Sequence, residues 1–293
     1  MIEAINLTKR FENKVALDAV NFEIKEGSVY GLVGSNGSGK STLMRLISGV
    51  YTPDGGDILI DGEKPFNNPQ LKSKICYLPD TPYFIHQSNI NEMAKYYAML
   101  YPTFDWERFE YLSSIFPLNK KARIATMSKG MQRQAALMLC LSVRPKYLLL
   151  DEAFDGLDPL ARLTFKKCIV ELVEEKGTTV VISSHSLREL EDICDSYGIL
   201  DHGEITCSGD LENDKEKVHK FQAAFHREVK ETELGFACMA FEQTGMVVRF
   251  ITREDKEVVL QKLSLLNPLF VEEIEVDFEE LFIGEVQARG YLK

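Results

Sequence analysis

Gly34-Ser35-Asn36-Gly37-Ser38-Gly39-Lys40-Ser41-Thr42 is the stretch whose reading decides the fold. It satisfies the pattern G-x-x-x-x-G-K-[ST] and stands between an apolar run, Val29 to Val33, and a helical pattern reaching to about Val50. Strand, glycine-rich turn and helix in that order wrap backbone N–H groups around phosphate oxygens at a helix N-terminus. Three glycines permit the turn, Lys40 supplies a cation, and the Ser41 hydroxyl is a candidate Mg2+ ligand. All nine residues are therefore candidates for binding a phosphorylated ligand.

A phosphate loop alone leaves kinases, GTPases and many motors open, so the second half of the site decides more. Tyr147-Leu148-Leu149-Leu150-Asp151-Glu152 is an apolar strand ending in two carboxylates, an end that lies beside a phosphate loop at the carboxyl edge of a parallel sheet. Asp151 is the candidate that holds Mg2+ through water, and Glu152 the candidate that polarises the attacking water. Ile75 to Leu78 and Thr179 to Ile182 read as further buried strands, apolar throughout and bounded by Gly, Pro, Asp or Ser.

The stretch Tyr83 to Ile124 breaks this rhythm. It holds no strong strand and is dense in aromatics, namely Tyr83, Phe84, Tyr96, Tyr97, Tyr101, Phe104, Trp106, Phe109 and Tyr111. We read it as a helical insert whose rings form mostly its own core, with a minority left as an exposed apolar surface for a partner. An apolar helix is expected from Arg133 to Val143. After the hairpin-like Gly203 to Cys207, the polar run Asp210 to Glu216 reads as a linker. A small α+β unit follows, with strands Phe221 to Phe225, Met246 to Thr252 and Leu269 to Val276, and helices Asp255 to Leu266 and Phe278 to Ala288.

Composition narrows the partners. The 293 residues carry a net charge of -11, and residues 210–293 hold 11 basic against 18 acidic side chains, which argues against binding nucleic-acid phosphates. Six scattered cysteines without a Cys-x-x-Cys pair imply reduced, mostly buried thiols, and the five histidines are too dispersed to suggest a zinc site. The longest apolar run, Ala135 to Leu141, is far too short to cross a bilayer, and the start lacks the basic region of a signal peptide. A cytoplasmic protein that forms no pore of its own is expected.

The order of the remaining motifs resembles that of the ABC (ATP-binding cassette) ATPases over about residues 1 to 209. Met127-Ser128-Lys129-Gly130-Met131-Gln132 is similar to the family's L-S-G-G-Q signature, with Lys129 in place of a glycine and Met131 in place of a glutamine. The resemblance implies that Phe11 stacks on adenine, that His185 contacts the γ-phosphate, and that Asp158 lies in a loop crossing a dimer interface. Asp158 before Pro159 also reads as a helix N-cap followed by proline at the first helical position. Ser128 and Gly130 are implied to approach a γ-phosphate. Asp80, in Tyr77-Leu78-Pro79-Asp80, stands where the family usually has a glutamine. It can still reach Mg2+ through water, but a second negative group near the γ-phosphate needs a cation to offset repulsion.

The expected fold is α/β: a P-loop NTPase cassette (1–209) with a mostly parallel sheet, an antiparallel β portion and a helical insert (about 81–135), plus a small α+β C-terminal domain (210–293). The resemblance implies a bacterial ABC transporter subunit that binds and hydrolyses ATP with Mg2+. It would pair head to tail with a second copy or a related cassette and sit on the inner face of the cell membrane through separate membrane subunits. The short insert, the Lys-Gly-Met signature and the acidic C-terminal domain resemble exporters of peptides, antibiotics or other small molecules. A soluble ABC ATPase acting on ribosomes or DNA is the alternative. It fits less well, because neither a second cassette nor a long coiled-coil insert is present. A phosphotransferase would need an acceptor-substrate site that no motif supplies, and the absence of Asn-Lys-x-Asp favours ATP over GTP.

Overall fold

The computed structural model describes residues 1–12, 14–277 and 280. The chain begins with β1 (Ile2–Phe11), β2 (Lys14–Ile24) and β3 (Val29–Val33), followed by α1 (Lys40–Ile47), β4 (Gly55–Ile60), the one-turn α2 (Pro69–Lys72) and β5 (Ile75–Leu78). Three helices then occur in succession, α3 (Ile90–Leu100), α4 (Trp106–Ile115) and α5 (Lys129–Val143). Next come β6 (Tyr147–Asp151), α6 (Pro159–Lys176), β7 (Thr179–Ser184), β8 (Ser196–Asp201) and β9 (Glu204–Asp210). The remaining described elements are α7 (Leu211–Glu216), β10 (His219–Ala224), β11 (Ala240–Thr244), β12 (Val247–Thr252), α8 (Lys256–Ser264) and β13 (Phe270–Ile274). Packing divides the chain into two units, Met1–Ser208 and Gly209–Lys293.

In the first unit a six-stranded sheet has the order β5-β6-β7-β3-β8-β9, and its pairs β5/β6, β6/β7, β7/β3 and β3/β8 are parallel. β3, β6 and β7 are buried at every position, as befits strands covered on both faces. Parallel pairing brings the carboxyl ends of β3, β5, β6 and β7 to one edge, where the phosphate loop, Asp80, Asp151 and His185 follow. A three-stranded antiparallel sheet, β2-β1-β4, contributes Leu7, Leu17 and Ile58 to a core shared with Leu43, Leu46 and Ile47 of α1 and Leu149 of β6. Each such buried side chain is worth about 1.5–3 kcal/mol, which pins α1 and thereby its first residue, Lys40. β8 and β9 turn through His202 and Gly203, both at positive φ, as a two-residue hairpin requires.

The insert is helical, and its helices are capped locally. Asn89 and Glu92 form a reciprocal capping box on α3, Asp105 caps α4, and Ser128 caps α5. One expectation needs correction here. α5 begins at Lys129 rather than Arg133, because Ser128 Oγ accepts the Met131 N–H and starts the helix one turn earlier. Of the nine aromatics, only Phe109 is fully buried; Tyr83, Tyr96, Trp106 and Tyr111 are exposed and the others half-buried. Ile90, Met93 and Leu112 join Phe109 and Phe116 in the core of the insert, against α5, whose residues from Ala135 to Val143 are all buried.

The second unit is a four-stranded antiparallel sheet of order β11-β12-β10-β13. Phe221, Val248 and Phe250 pack against Val259 and Leu263 of α8. β11 was not expected, because three of the five residues of this edge strand, Glu242 to Thr244, are exposed polar sequence. The polar run taken for a linker contains the helix α7. The expected helix Phe278 to Ala288 lies outside the described residues except for Glu280. All six cysteines are free and five are buried; burial raises the Cys194 thiol well above its usual range and pushes that of Cys238 up to about 12. Among the described residues no helix is long and apolar enough to cross a membrane.

Candidate nucleotide-binding site

A cavity of about 280 Å³ opens on the phosphate loop. Asn36, Gly37, Gly39, Lys40, Ser41 and Thr42 line it together with Phe11, Asp80 and Glu152. The loop is held from several sides. Gly34 N–H donates to Ser184 O at 3.3 Å, and Gly203 N–H to Ser38 O at 3.0 Å, so β7 and the β8–β9 turn brace it. Gly39 has φ of 118°, and a Cβ there would stand 2.6 Å from Ala16 O; a side chain at this position would both strain the backbone and collide with β2. Ser38 Oγ is buried and has no hydrogen-bond partner among the described residues. An unmade bond of this kind costs about 1–3 kcal/mol, which a phosphate oxygen would recover.

Lys40 is 5% exposed and its three ammonium hydrogens are accounted for. Nζ donates to Gly34 O at 2.6 Å and Ser35 O at 3.2 Å and pairs with Glu152 Oε1 at 3.1 Å. Glu152 stands directly after β6 with φ of 47°, in the left-handed region. That conformation costs about 1–2 kcal/mol for a residue with a Cβ and turns the side chain out of the strand line. Its other oxygen lies 3.0 Å from His185 Nδ1, completing a Lys40–Glu152–His185 chain. The hydrogen bond to Glu152 holds the imidazole above its usual value, so His185 keeps its proton more readily.

Asp151 is fully buried at the end of β6. Ser183 Oγ donates to its Oδ1 at 2.6 Å and accepts the Glu152 N–H at 3.0 Å, so one hydroxyl from β7 fixes both carboxylate residues. Tyr77 OH, from β5, donates to Oδ2 at 3.3 Å. Burial and the Asp151 charge push the Tyr77 phenol well above its usual range. Both donors are neutral, which leaves the buried charge for a cation to balance.

Phe11, at the end of β1, is 40% exposed and meets Tyr51 edge-on at 5.5 Å. Asp80 lines the cavity but pairs with Arg133 Nη2 of α5 at 3.1 Å. Ser128, Gly130 and Asp158 do not line the cavity. Ser128 and Asp158 cap α5 and α6, with Pro159 following Asp158 as expected, and a Cβ on Gly130 would stand 2.8 Å from Gly156 O.

Sequence reading missed Tyr77, Ser183, Arg133 and Asp155. No local motif marks the first two, whose roles arise only from strand neighbours. Asp155 sits where ligand atoms of Glu152, Asp155 and His185 lie within 4.8 Å of one another, and burial together with Glu152 raises its carboxyl. The signal for Arg133 was Asp80 itself, an acid that needs a cation.

A strand, a braced glycine loop and a buried carboxylate at the end of β6, one strand removed from β3 in the same sheet, define a P-loop nucleotide-binding cassette. The ABC transporter family matches residues 17–155 of the chain. Over 285 residues it is 30% identical to the ABC transporter ATP-binding protein YtrB of Bacillus subtilis (strain 168), covering 97% of this chain and 98% of that one. It is 28% identical to the bacitracin transport ATP-binding protein BcrA of Bacillus licheniformis, covering 93% and 90% respectively. A solved structure of an ATP binding subunit of an ABC transporter is similar with a TM-score of 0.67 and 28% identity, over 74% of this chain and 92% of that one. The chain belongs to the ATP-binding proteins of ABC transporters and is an ATPase of that family.

Proposed function

We propose that this subunit drives the export of a peptide, antibiotic or other small molecule through separate membrane subunits, by ATP-dependent head-to-tail pairing with a second cassette. The observation that carries the hydrolytic part is the Lys40–Glu152–His185 chain beside the phosphate loop. Lys40 already contacts a carboxylate, so an arriving phosphate oxygen competes with Glu152 for the ammonium. Freed of that partner, Glu152 serves as general base toward water, and His185 donates to the γ-phosphate. The loop from Gly34 to Thr42 binds the phosphates and Phe11 stacks on the adenine.

Mg2+ fits the oxygen donors present: the Ser41 hydroxyl directly, and Asp151 and Asp80 through water. When bound it neutralises charge developing on the phosphates. Ser128 and Gly130 act on the nucleotide of the opposite subunit, and Asp158 lies at the same interface. The exposure of Ser128 and Asp158, and the absence of all three residues from the lining of this chain's own cavity, support that reading. Exposed Tyr83, Tyr96, Met99, Trp106 and Tyr111 give the insert an apolar surface suited to a membrane subunit. Similarity to BcrA over nearly the whole chain supports an export substrate of antibiotic type.

Glu152→Gln tests the mechanism. ATP binding is expected to persist while hydrolysis falls about 10²-fold or more, with ATP now trapping a stable pair detectable by size-exclusion chromatography. Near-normal turnover would remove Glu152 from its role. Co-purification with membranes when expressed beside its neighbouring membrane-protein gene tests the transporter assignment, and co-purification with ribosomes would favour the alternative.

A further inference from the structure

Asp80 brings a negative charge to a cavity that we read as the seat of a polyanion, and the residue opposite it explains how the fold accommodates this. Arg133 lies one turn into α5, its side chain 11% exposed. Nη2 donates to Asp80 Oδ1 at 3.1 Å, while Nη1 is buried with no hydrogen-bond partner among the described residues. A guanidinium left partly unsatisfied is not placed there by hydrogen bonding alone. The surrounding charge accounts for it, because Arg133 faces Asp80 on the loop after β5 and its field also opposes the rise of the Asp155 carboxyl. α5 reaches the same neighbourhood through Gly130, which closes on Gly156 O.

We propose that Arg133 is a positioning residue, the counter-ion that cancels the charge of Asp80 at the phosphate pocket and tethers that acid to the helix beginning beside Ser128. The proposal rests on the nucleotide reading of the cavity. A neutral residue at position 80 would need no such partner, so the two side chains form one unit, and the substitution of either has a defined consequence for the other. Without Arg133, Asp80 repels the phosphates; without Asp80, Arg133 adds an attractive charge near them.

The pair is tested by equilibrium binding of a fluorescent ATP analogue to the full chain in EDTA, which removes divalent cations from the comparison. Arg133→Gln is expected to weaken binding about tenfold, the scale of one uncompensated charge a few ångströms from another at the protein surface. Adding Asp80→Asn to that variant is expected to restore affinity to within about twofold of wild type, and Asp80→Asn alone to bind no more weakly than wild type. A residue that merely packs would not be rescued by a change in its partner's charge. A double variant as weak as Arg133→Gln, or an Arg133→Gln protein that binds normally, overturns the proposal. Should Arg133→Gln not fold, Arg133→Lys keeps the charge and is expected within about threefold of wild type; a tenfold loss there in a folded protein also overturns it. Lys40→Ala, measured alongside, checks the nucleotide reading separately. If it still loses ATP binding while rescue fails, only the counter-ion assignment falls.

Discussion

Two sets of polar residues in the cassette unit differ in how the fold uses them. Lys40, Asp151 and Glu152 are almost fully enclosed, and every bond they make runs to another part of the same chain. Ser128, Lys129, Met131 and Asp158 are exposed at the N-termini of α5 and α6, where Ser128 and Asp158 only cap their own helices. Of the first set, Lys40 and Glu152 line the cavity, and Asp151 is enclosed next to Glu152 at the end of β6. The second offers backbone N–H groups and a hydroxyl to solvent, with no ligand supplied by this chain. This division is what a composite site needs, with one half preassembled and buried and the other presented to a partner.

The sharpest way to break the comparison is Lys40→Ala. The enclosed half then loses the one cation on the loop and leaves Glu152 facing the phosphates without its partner, so ATP affinity should fall about 10²-fold or more. Fluorescence titration with a nucleotide analogue reads this directly. A loss below about threefold would mean that the cavity is not the phosphate site.

The exposed half is tested by mixing. In a heterodimer of one Lys40→Ala subunit and one Ser128→Arg subunit, a trans arrangement puts both lesions in one composite site and leaves the other whole, whereas a cis arrangement damages every site. ATP-driven pairing, read by light scattering, is therefore expected to recover in the mixture and in neither variant alone. Pairing is a better readout than turnover, since coupling between the two sites can suppress hydrolysis even where one is intact. Folded subunits that pair no better mixed than separate would count against the shared site.

The same contrast explains how much could be read without coordinates. The phosphate loop and the Asp151-Glu152 pair were legible because each motif lies on consecutive residues and the parallel sheet brings their strand ends together. Asp158 was legible as a cap for the same reason, whereas Ser128 was not, because the helix it caps was expected to begin at Arg133. Ser183 and Tyr77 were not, since their hydroxyls reach Asp151 only through strands that are neighbours in space but distant in sequence. Arg133 was read only as the first residue of an apolar helix. Its pairing with Asp80 spans 53 positions and no local pattern announces it. The density of aromatics in the insert indicated a core with a minority of rings exposed, but not which rings: Phe109 is buried against α5, while Tyr83, Tyr96, Trp106 and Tyr111 are exposed.

Phe11 refines the boundary of the enclosed half. It is partly exposed, touching Tyr51 edge-on with Lys9 Nζ 5.3 Å from its ring centre, so it is available to a base rather than locked in a core. Phe11→Ala is expected to weaken ATP about tenfold, within the range for loss of one stacking contact, and Phe11→Tyr to bind nearly normally. Equal losses from both substitutions in folded proteins would make Phe11 a packing residue instead.

The smallest expected effect concerns His185, the most exposed member of the Lys40–Glu152–His185 chain. Its pKa is raised in the folded state above the ordinary 6.5, chiefly by the hydrogen bond to Glu152. A group whose folded value is raised binds its proton more tightly in the native state. Its contribution to stability is therefore full below about pH 6.5 and is lost as pH climbs through the higher folded value. With the side chain 49% exposed, solvent screening limits the gain to about 0.5 kcal/mol or less. Urea denaturation of wild type and His185→Gln should accordingly show a small advantage for wild type near pH 6 that fades toward pH 8.5. The variant also loses any pH-independent contact of the ring, so the change in the difference across the range, rather than its value at one pH, carries the information. A difference that stays constant, or grows toward alkaline pH, would show that the imidazole does not gain a proton's worth of attraction from Glu152. The buried half of the site would then end at Lys40 and Glu152, with His185 belonging to the exposed groups that wait for a ligand.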